Sequence, residues 1–139
     1  MGEAHLELLD RLLRELDRLA LRTDRHALED FERWLAVGHA LQLLAQCCID
    51  LGQSVLRGMA SPPASTYAEV FERLAEVGLI DDHDRGVLAA LARLRNVLVH
   101  LYVEIDLDRL HEALHSDLDP VRRFRSAAAG ALSETNQPG

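Results

Sequence analysis

An arginine, an asparagine, a histidine and a tyrosine lie close together in one otherwise apolar stretch of this chain. They are Arg95, Asn96, His100 and Tyr102 in the segment Arg-Asn-Val-Leu-Val-His-Leu-Tyr. Histidine suits proton transfer because its ordinary pKa of about 6.5 lies near neutral pH. Arginine suits a phosphate because its planar guanidinium donates two parallel hydrogen bonds and stays charged. Together these residue types could cleave RNA without a metal.

Such cleavage divides the chemistry among three tasks. A base takes the proton from the ribose hydroxyl, a cation holds the phosphate as its charge rises, and an acid protonates the leaving oxygen. We assign His100 as the general acid and base and Arg95 as the phosphate clamp. Asn96, one turn before His100, could orient the imidazole or the substrate. The alternative interpretation is structural: Arg95 pairs with a carboxylate such as Asp106, His100 is a satisfied interfacial histidine, and Tyr102 packs at the core edge.

The Arg-x4-His-x-Tyr spacing resembles a known family. Preceded by a leucine-rich helix and followed by Glu104-Ile105-Asp106, it is similar to the HEPN superfamily, specifically the HepT-like RNase toxins that are paired with a minimal nucleotidyltransferase antitoxin. The resemblance covers most of the chain in helix order, and the octapeptide is its specific part. It implies a metal-independent endoribonuclease that uses the arginine and the histidine and needs no cofactor.

The resemblance also implies how the activity is silenced. In the HepT-like branch the motif tyrosine is where the cognate antitoxin adds AMP, which would make Tyr102 the modified residue. A bulky anionic adduct two residues after His100 would block the cleft and repel an RNA phosphate. A different hypothesis is a non-catalytic helical adapter, or a substrate-binding module, for a nucleotidyltransferase partner.

Charge restricts how RNA could be held. The net charge is -8, and all fifteen Lys and Arg residues are arginine. The field of the whole molecule therefore repels phosphates, so that RNA would need a small local pocket of arginines or the help of a partner.

Composition indicates one soluble helical domain. The 139 residues are 48% hydrophobic with only 4% aromatics, which favours helices built from leucine, alanine and valine. The chain start lacks the features of a signal peptide, and no run approaches the ~20 apolar residues that span a bilayer, so we expect a cytoplasmic protein without a membrane segment.

Adjacent Cys47 and Cys48 are expected to be buried thiols. His111 and His115 are four residues apart, a spacing that can bind zinc. Because no motif supplies a third ligand, we favour the interpretation that both lie on a solvent-exposed face of a helix.

The first helix is predicted over about residues 3–21, from leucines spaced by three and four positions. Thr23 or Asp24 is predicted to cap a long helix that runs to about Arg57. Because that helix is apolar around much of its circumference, we expect it to be the central, most buried element.

Caps also mark the elements that follow. Thr66 and Glu69 form a capping box that opens a short helix, which Gly78 ends. Asp81 or Asp82 offers the N-cap of the helix that carries the motif.

The last predicted element begins after Asp106, which can cap a final helix that Pro120 either kinks or divides. The predicted fold is an all-α, HEPN-like up-and-down bundle of four to five helices. It occupies residues 1–130 as a single domain, and residues 131–139 form a disordered tail.

A helical wheel divides the motif helix into two faces at about 100° per residue. The predicted core stripe consists of Val87, Leu91, Leu94, Leu98, Leu101 and Ile105. The opposite side carries Asn96, Val99, His100 and Val103, where valines in place of charges suggest a second packing surface. A homodimer would cover it; the alternative is cover by the last helix. Because Arg95 and His100 lie about 140° apart on an ideal helix, a composite cleft or a local helix distortion is needed to bring them together.

Overall fold

The computed structural model describes residues 2–100 and 106–135. Over these residues the chain forms helices and no strands, so the predicted all-α class is confirmed. The helices are α1 (Glu3–Arg22), α2 (Phe31–Gly58), α3 (Tyr67–Glu76), α4 (Asp82–Leu98), α5 (Leu107–Leu114) and α6 (Asp119–Thr135). The described ranges hold six helices, where four or five were predicted, because the predicted final helix is two separate helices.

The long helix α2 is the centre of the bundle, as predicted. It contacts every other helix, and Cys47 and Cys48 are buried in it. Burial raises the pKa of the Cys47 thiol to about 11 and that of Cys48 further, so both thiols stay protonated and inert. Contrary to the expectation from apolar runs, α2 is long and apolar enough to cross a membrane by length and composition alone, yet 61% of that window is buried, as in a core helix.

The start of α2 lies later than predicted. Asp30, and neither Thr23 nor Asp24, caps it by accepting a hydrogen bond from the Arg33 backbone N–H at 3.0 Å. The Asp24 carboxylate instead accepts a hydrogen bond at 2.8 Å from the N–H of Ala27, where a short 3-10 turn, Ala27–Glu29, begins. The buried Thr23 hydroxyl accepts a hydrogen bond at 2.9 Å from the Arg33 guanidinium, so this residue ties α1 to the first turn of α2.

The predicted capping box at α3 is present in a shifted form. The Glu69 N–H donates to the Thr66 hydroxyl at 3.1 Å, but the Glu69 carboxylate accepts from the N–H of Ser65 at 2.7 Å. Gly78 ends the helix with a positive φ of 81°, which glycine adopts at little cost. Helices α2 and α3 pack closely at Gly52, where an added Cβ would lie 2.6 Å from the Val70 side chain.

Helix α4 begins at the predicted cap Asp81, whose carboxylate accepts from the Asp84 N–H at 2.8 Å. Its buried face agrees with the predicted stripe at Leu98 only, since the other buried residues are Asp84, Leu88, Ala89 and Ala92. Of the predicted stripe, Val87, Leu91 and Leu94 are half-buried and line an open groove of about 350 Å³ against α5 and the start of α6; Leu101 and Ile105 lie outside the described residues.

Helices α5 and α6 account for the segment predicted as one final helix. Asp106 caps α5, as predicted, by accepting from the Arg109 N–H at 2.7 Å. Pro120 lies in the first turn of α6, where its missing N–H costs no helical hydrogen bond. Helix α6 continues beyond residue 130 to Thr135, and Leu132 is buried, so the segment predicted as a tail begins inside a helix; residues 136–139 lie outside the described part.

Two bidentate ion pairs fasten α6 to the bundle. Arg123 donates through Nε and Nη2 to the carboxylate of the buried Asp84, both at 2.8 Å, and so joins α6 to α4. Arg125 makes the same kind of contact with Asp10 of α1 at 3.0 Å. Together with the edge-to-face contact of Phe71 and Phe124, at 5.6 Å between ring centroids, these pairs join α6 to α1, α3 and α4.

Candidate functional site

Arg95 lies one turn before the end of α4, and its guanidinium is held by neutral groups. Its Nε donates to the Gln46 side-chain oxygen of α2 at 2.8 Å, and Nη1 donates to the Asn96 oxygen at 3.3 Å. The guanidinium carbon lies 5.2 Å from the centroid of the Tyr67 ring, within the range of a cation–π contact. The side chain is therefore fixed on two sides without its charge being neutralised.

A polar chain continues from Arg95 across the surface of α2. The Gln46 amide nitrogen donates to Asp50 Oδ1 at 2.8 Å, and His5 Nε2 of α1 lies 3.3 Å from Asp50 Oδ2. Sequence reasoning missed Gln46 and Asp50. A signal was present, since they are a polar pair at i and i+4 on a helix that is otherwise apolar around most of its surface.

The structural alternative for Arg95 is not observed. Asp106, the carboxylate proposed as its partner, accepts from the Arg109 N–H at the start of α5. Among the residues that the structure describes, no carboxylate is paired with Arg95.

His100 lies beyond the end of the helix, which changes the wheel argument. Helix α4 ends at Leu98, and the His100 N–H donates to the Val97 carbonyl at 3.1 Å in a tighter turn. The angle of about 140° calculated for a continuous helix therefore does not apply to His100, whose side chain is exposed. Asn96 is exposed as well, and its side-chain oxygen accepts a hydrogen bond from Arg95 and not from His100.

The remaining motif residue, Tyr102, lies outside the described residues. The described residues contain no group of three His, Cys, Asp or Glu side chains that could hold a metal ion. The rings of His111 and His115 are tilted by 44° with their centroids 4.3 Å apart, and His115 Nε2 lies 2.8 Å from the Thr23 carbonyl oxygen, so His115 helps to join α5 to the end of α1.

An all-α bundle that presents this motif at the C-terminal end of its fourth helix has the architecture expected of a HEPN domain. The family model described as "Ribonuclease HepT-like" matches residues 8–128, and the chain belongs to that family. The chain is also 30% identical over 112 residues to "tRNA nuclease HepT" of Aphanizomenon flos-aquae (strain 2012/KM1/D3), a match that covers 81% of this chain and 76% of the relative.

Two solved structures share the fold. One is the "Cytosolic Protein of Unknown Function YutE from Bacillus subtilis", with a TM-score of 0.73, 18% identity, and coverage of 94% of this chain and 92% of that one. The other is described as "Crystal structure of the toxin-antitoxin with AMP-PNP", with a TM-score of 0.76, 22% identity, and coverage of 92% and 99%.

These matches confirm the resemblance drawn from the octapeptide. The predicted HepT-like family is confirmed, and with it, at the level of the family, the endoribonuclease class predicted from the motif.

Proposed function

We propose that the protein cleaves RNA, with Arg95 and His100 as catalytic residues and Asn96 in support, and that a nucleotidyltransferase antitoxin silences it by adding AMP to Tyr102. The observation that carries the catalytic part is the guanidinium of Arg95. This half-buried guanidinium is held by an amide and an aromatic ring, and none of the carboxylates in the described ranges 2–100 and 106–135 pairs with it. An exposed histidine follows five residues later.

The reaction that fits these groups is an internal transesterification. His100 takes the proton from the ribose 2′-hydroxyl, the 2′-oxygen bonds to phosphorus, and the bond from phosphorus to the 5′-oxygen breaks. The 5′-oxygen leaves with a proton supplied by an imidazolium, and Arg95 stabilises the charge that develops on the phosphoryl oxygens. The expected products carry a 2′,3′-cyclic phosphate and a 5′-hydroxyl.

The substrate class that we propose is tRNA, because a relative whose match covers 81% of this chain is described as a tRNA nuclease. The acidic surface makes a specific, local mode of binding necessary, since a net charge of -8 repels a long phosphate backbone. We also propose that the protein works in the cytoplasm, where tRNA is available.

Cleavage of purified tRNA in the presence of EDTA tests the hypothesis that the protein is a metal-independent ribonuclease. Wild-type protein should cleave, and His100→Ala should lower the rate by roughly 10²–10⁴-fold because the proton-transfer group is lost. His83→Ala is the matched control, since His83 is exposed at the opposite end of α4. If the wild type and His100→Ala are equally inert, the adapter hypothesis replaces this one.

We further propose that the protein is a homodimer whose two motifs share one cleft. Leu35 and Gln46 lie eleven residues apart on α2, hence within about 20° of the same face, and Gln46 contacts Arg95. Leu35 is 44% exposed, and Phe31, one turn earlier, is 66% exposed. A second copy seated on this face would bury these apolar side chains and bring the two motifs together.

Leu35→Glu tests the dimer. It should give a monomer in analytical ultracentrifugation and lower the rate of RNA cleavage, because a charge at a two-fold interface faces its own copy. Val77→Glu is the control, because Val77 is similarly exposed at the end of α3. A wild type that is monomeric at working concentration would reject the shared cleft.

Co-production with a nucleotidyltransferase antitoxin of the proposed kind tests the modification. Intact mass should show added adenylate, RNA cleavage should fall, and Tyr102→Phe should prevent the addition. Tyr67, the other tyrosine of the chain, provides the control: Tyr67→Phe should still be modified. An adduct that persists in Tyr102→Phe would reject this site.

A further inference from the structure

We infer that Gln46 is a positioning residue for Arg95, and that Asp50 fixes Gln46 in the required orientation. This inference rests on the proposed function, because it concerns how the phosphate-binding arginine is presented. The contacts that carry it link three helices in one chain: His5 of α1, Gln46 and Asp50 of α2, and Arg95 of α4.

The orientation of the Gln46 amide follows from its two partners. The Nε of arginine can only donate, so it requires the amide oxygen. A carboxylate without a proton can only accept, so Asp50 requires the amide NH₂. Both contacts are 2.8 Å long, and a flipped amide would lose both hydrogen bonds. Asp50 therefore determines which end of Gln46 faces the guanidinium.

The geometry decides which edge of Arg95 meets a substrate. Gln46 holds the Nε position, the guanidinium carbon lies over the Tyr67 ring, and Nη1 donates to Asn96 at the longer distance of 3.3 Å. Among the described residues Nη2 has no hydrogen-bond partner, and we infer that this nitrogen meets the phosphate. A guanidinium that is already oriented loses less rotamer entropy when it binds the phosphate in the transition state. Its orientation should therefore act mainly on kcat.

Gln46→Met tests the inference, because methionine keeps the length of the side chain and cannot replace the two hydrogen bonds. We expect kcat for tRNA cleavage to fall roughly 10-fold, with KM changed much less. Gln53→Met is the matched control on the same helix. It lies two turns further on, also half-buried, and should behave as wild type. Asp50→Leu should lower kcat by less than Gln46→Met, and Asp50→Asn, which keeps an acceptor, should remain near wild type.

A double-mutant cycle separates positioning from a general structural effect. If Gln46 acts through Arg95, Gln46→Met should have no further effect once Arg95→Ala is present. A full 10-fold loss in the Arg95→Ala background, or equal kcat for Gln46→Met and Gln53→Met, would overturn the inference.

A measurement independent of activity keeps this inference distinct from the proposed function. The Arg95 Nε–H resonance, assigned by its loss in Arg95→Lys, should be visible and protected from solvent exchange in the wild type, and should lose that protection in Gln46→Met. Unchanged protection overturns the positioning role. If Arg95→Ala leaves cleavage intact while the resonance behaves as expected, the proposed catalytic role of Arg95 fails and the contact itself stands.

Discussion

The two ends of α4 each carry an arginine contact with another helix, and the two contacts differ in the charge of the acceptor. At the N-terminal end, Asp84 is 3% exposed and accepts two hydrogen bonds from Arg123 of α6. At the C-terminal end, Arg95 donates to the neutral amide of Gln46. The distances are the same, 2.8 Å in each case, so geometry alone does not separate a structural arginine from a functional one.

The acceptor decides what each arginine can do. The guanidinium of Arg123 holds the pKa of the Asp84 carboxyl below its usual value, and the carboxylate raises the pKa of Arg123 in return. That pair is mutually neutralised, and it joins α4 to α6. Arg95 is oriented by Gln46 and has no carboxylate partner among the described residues, so its positive charge can serve a phosphate.

The largest effect should come from Arg95→Ala. We expect tRNA cleavage to fall by roughly 10²–10³-fold, as for the loss of one donor to a developing oxyanion, while the thermal midpoint stays near that of wild type. Initial rates and thermal unfolding of the same preparation measure both. Arg93→Ala is the control because Arg93 is exposed on the same helix; equal losses in the two variants would mean that only general positive charge matters.

Arg123→Ala should show the opposite behaviour. Without Arg123, the buried Asp84 carboxylate loses both guanidinium hydrogen bonds, so the free energy of unfolding should fall. Denaturant unfolding measures this loss, and activity per folded molecule should be retained. Arg122→Ala, which breaks exposed contacts with Asp17 and Asp119, should cost about 1 kcal/mol or less. The comparison fails if both variants cost the same.

Gln46→Glu would make the two ends of α4 alike. The substituted side chain keeps an acceptor for Arg95 but adds a carboxylate that competes with the phosphate, so cleavage should fall roughly 10-fold. The free energy of unfolding should fall slightly as well, because the new carboxylate cannot donate to Asp50 and repels it across one turn of α2. Activity at or above the wild-type level would show that cleavage does not depend on an uncharged acceptor for Arg95 at position 46.

The smallest expected effect is a loss of stability at acid pH. Because the folded-state pKa of Asp84 is lowered, its contribution to stability is complete above the unfolded pKa of about 3.9 and is lost as the pH falls through the lowered value. The free energy of unfolding should therefore decline below about pH 4. Asp84→Asn should be less stable at pH 7 and show a shallower decline; parallel pH profiles for the two proteins would contradict this account.

Local signals in the sequence located most of the elements. The caps at Asp81 and Asp106, the capping box at Thr66 and the turn at Gly78 are all found where they were predicted, because each depends on residues within one turn of the chain. The start of α2 was misplaced because Asp24 and Asp30 both offer a suitable carboxylate. The choice of Asp30 follows the 3-10 turn between them.

The buried face of α4 could not be read from hydrophobicity. The wheel ranked Val87, Leu91 and Leu94 as core because they are large and apolar. Tertiary contacts instead buried the charged Asp84, since Arg123 supplies its partner from a helix 39 residues away in sequence. Burial of a carboxylate depends on such a partner, and a periodicity argument does not contain it.

The sequence by itself determined the helical class, most helix boundaries and the Arg-x4-His-x-Tyr motif by which the family is recognised, because propensity, capping and motif spacing act over a few residues. Only the tertiary structure decided that Arg95 meets the Gln46 amide, a residue 49 positions away, and that α4 ends before His100. These outcomes depend on how separate helices pack and satisfy each other's polar groups, which is a property of the whole bundle.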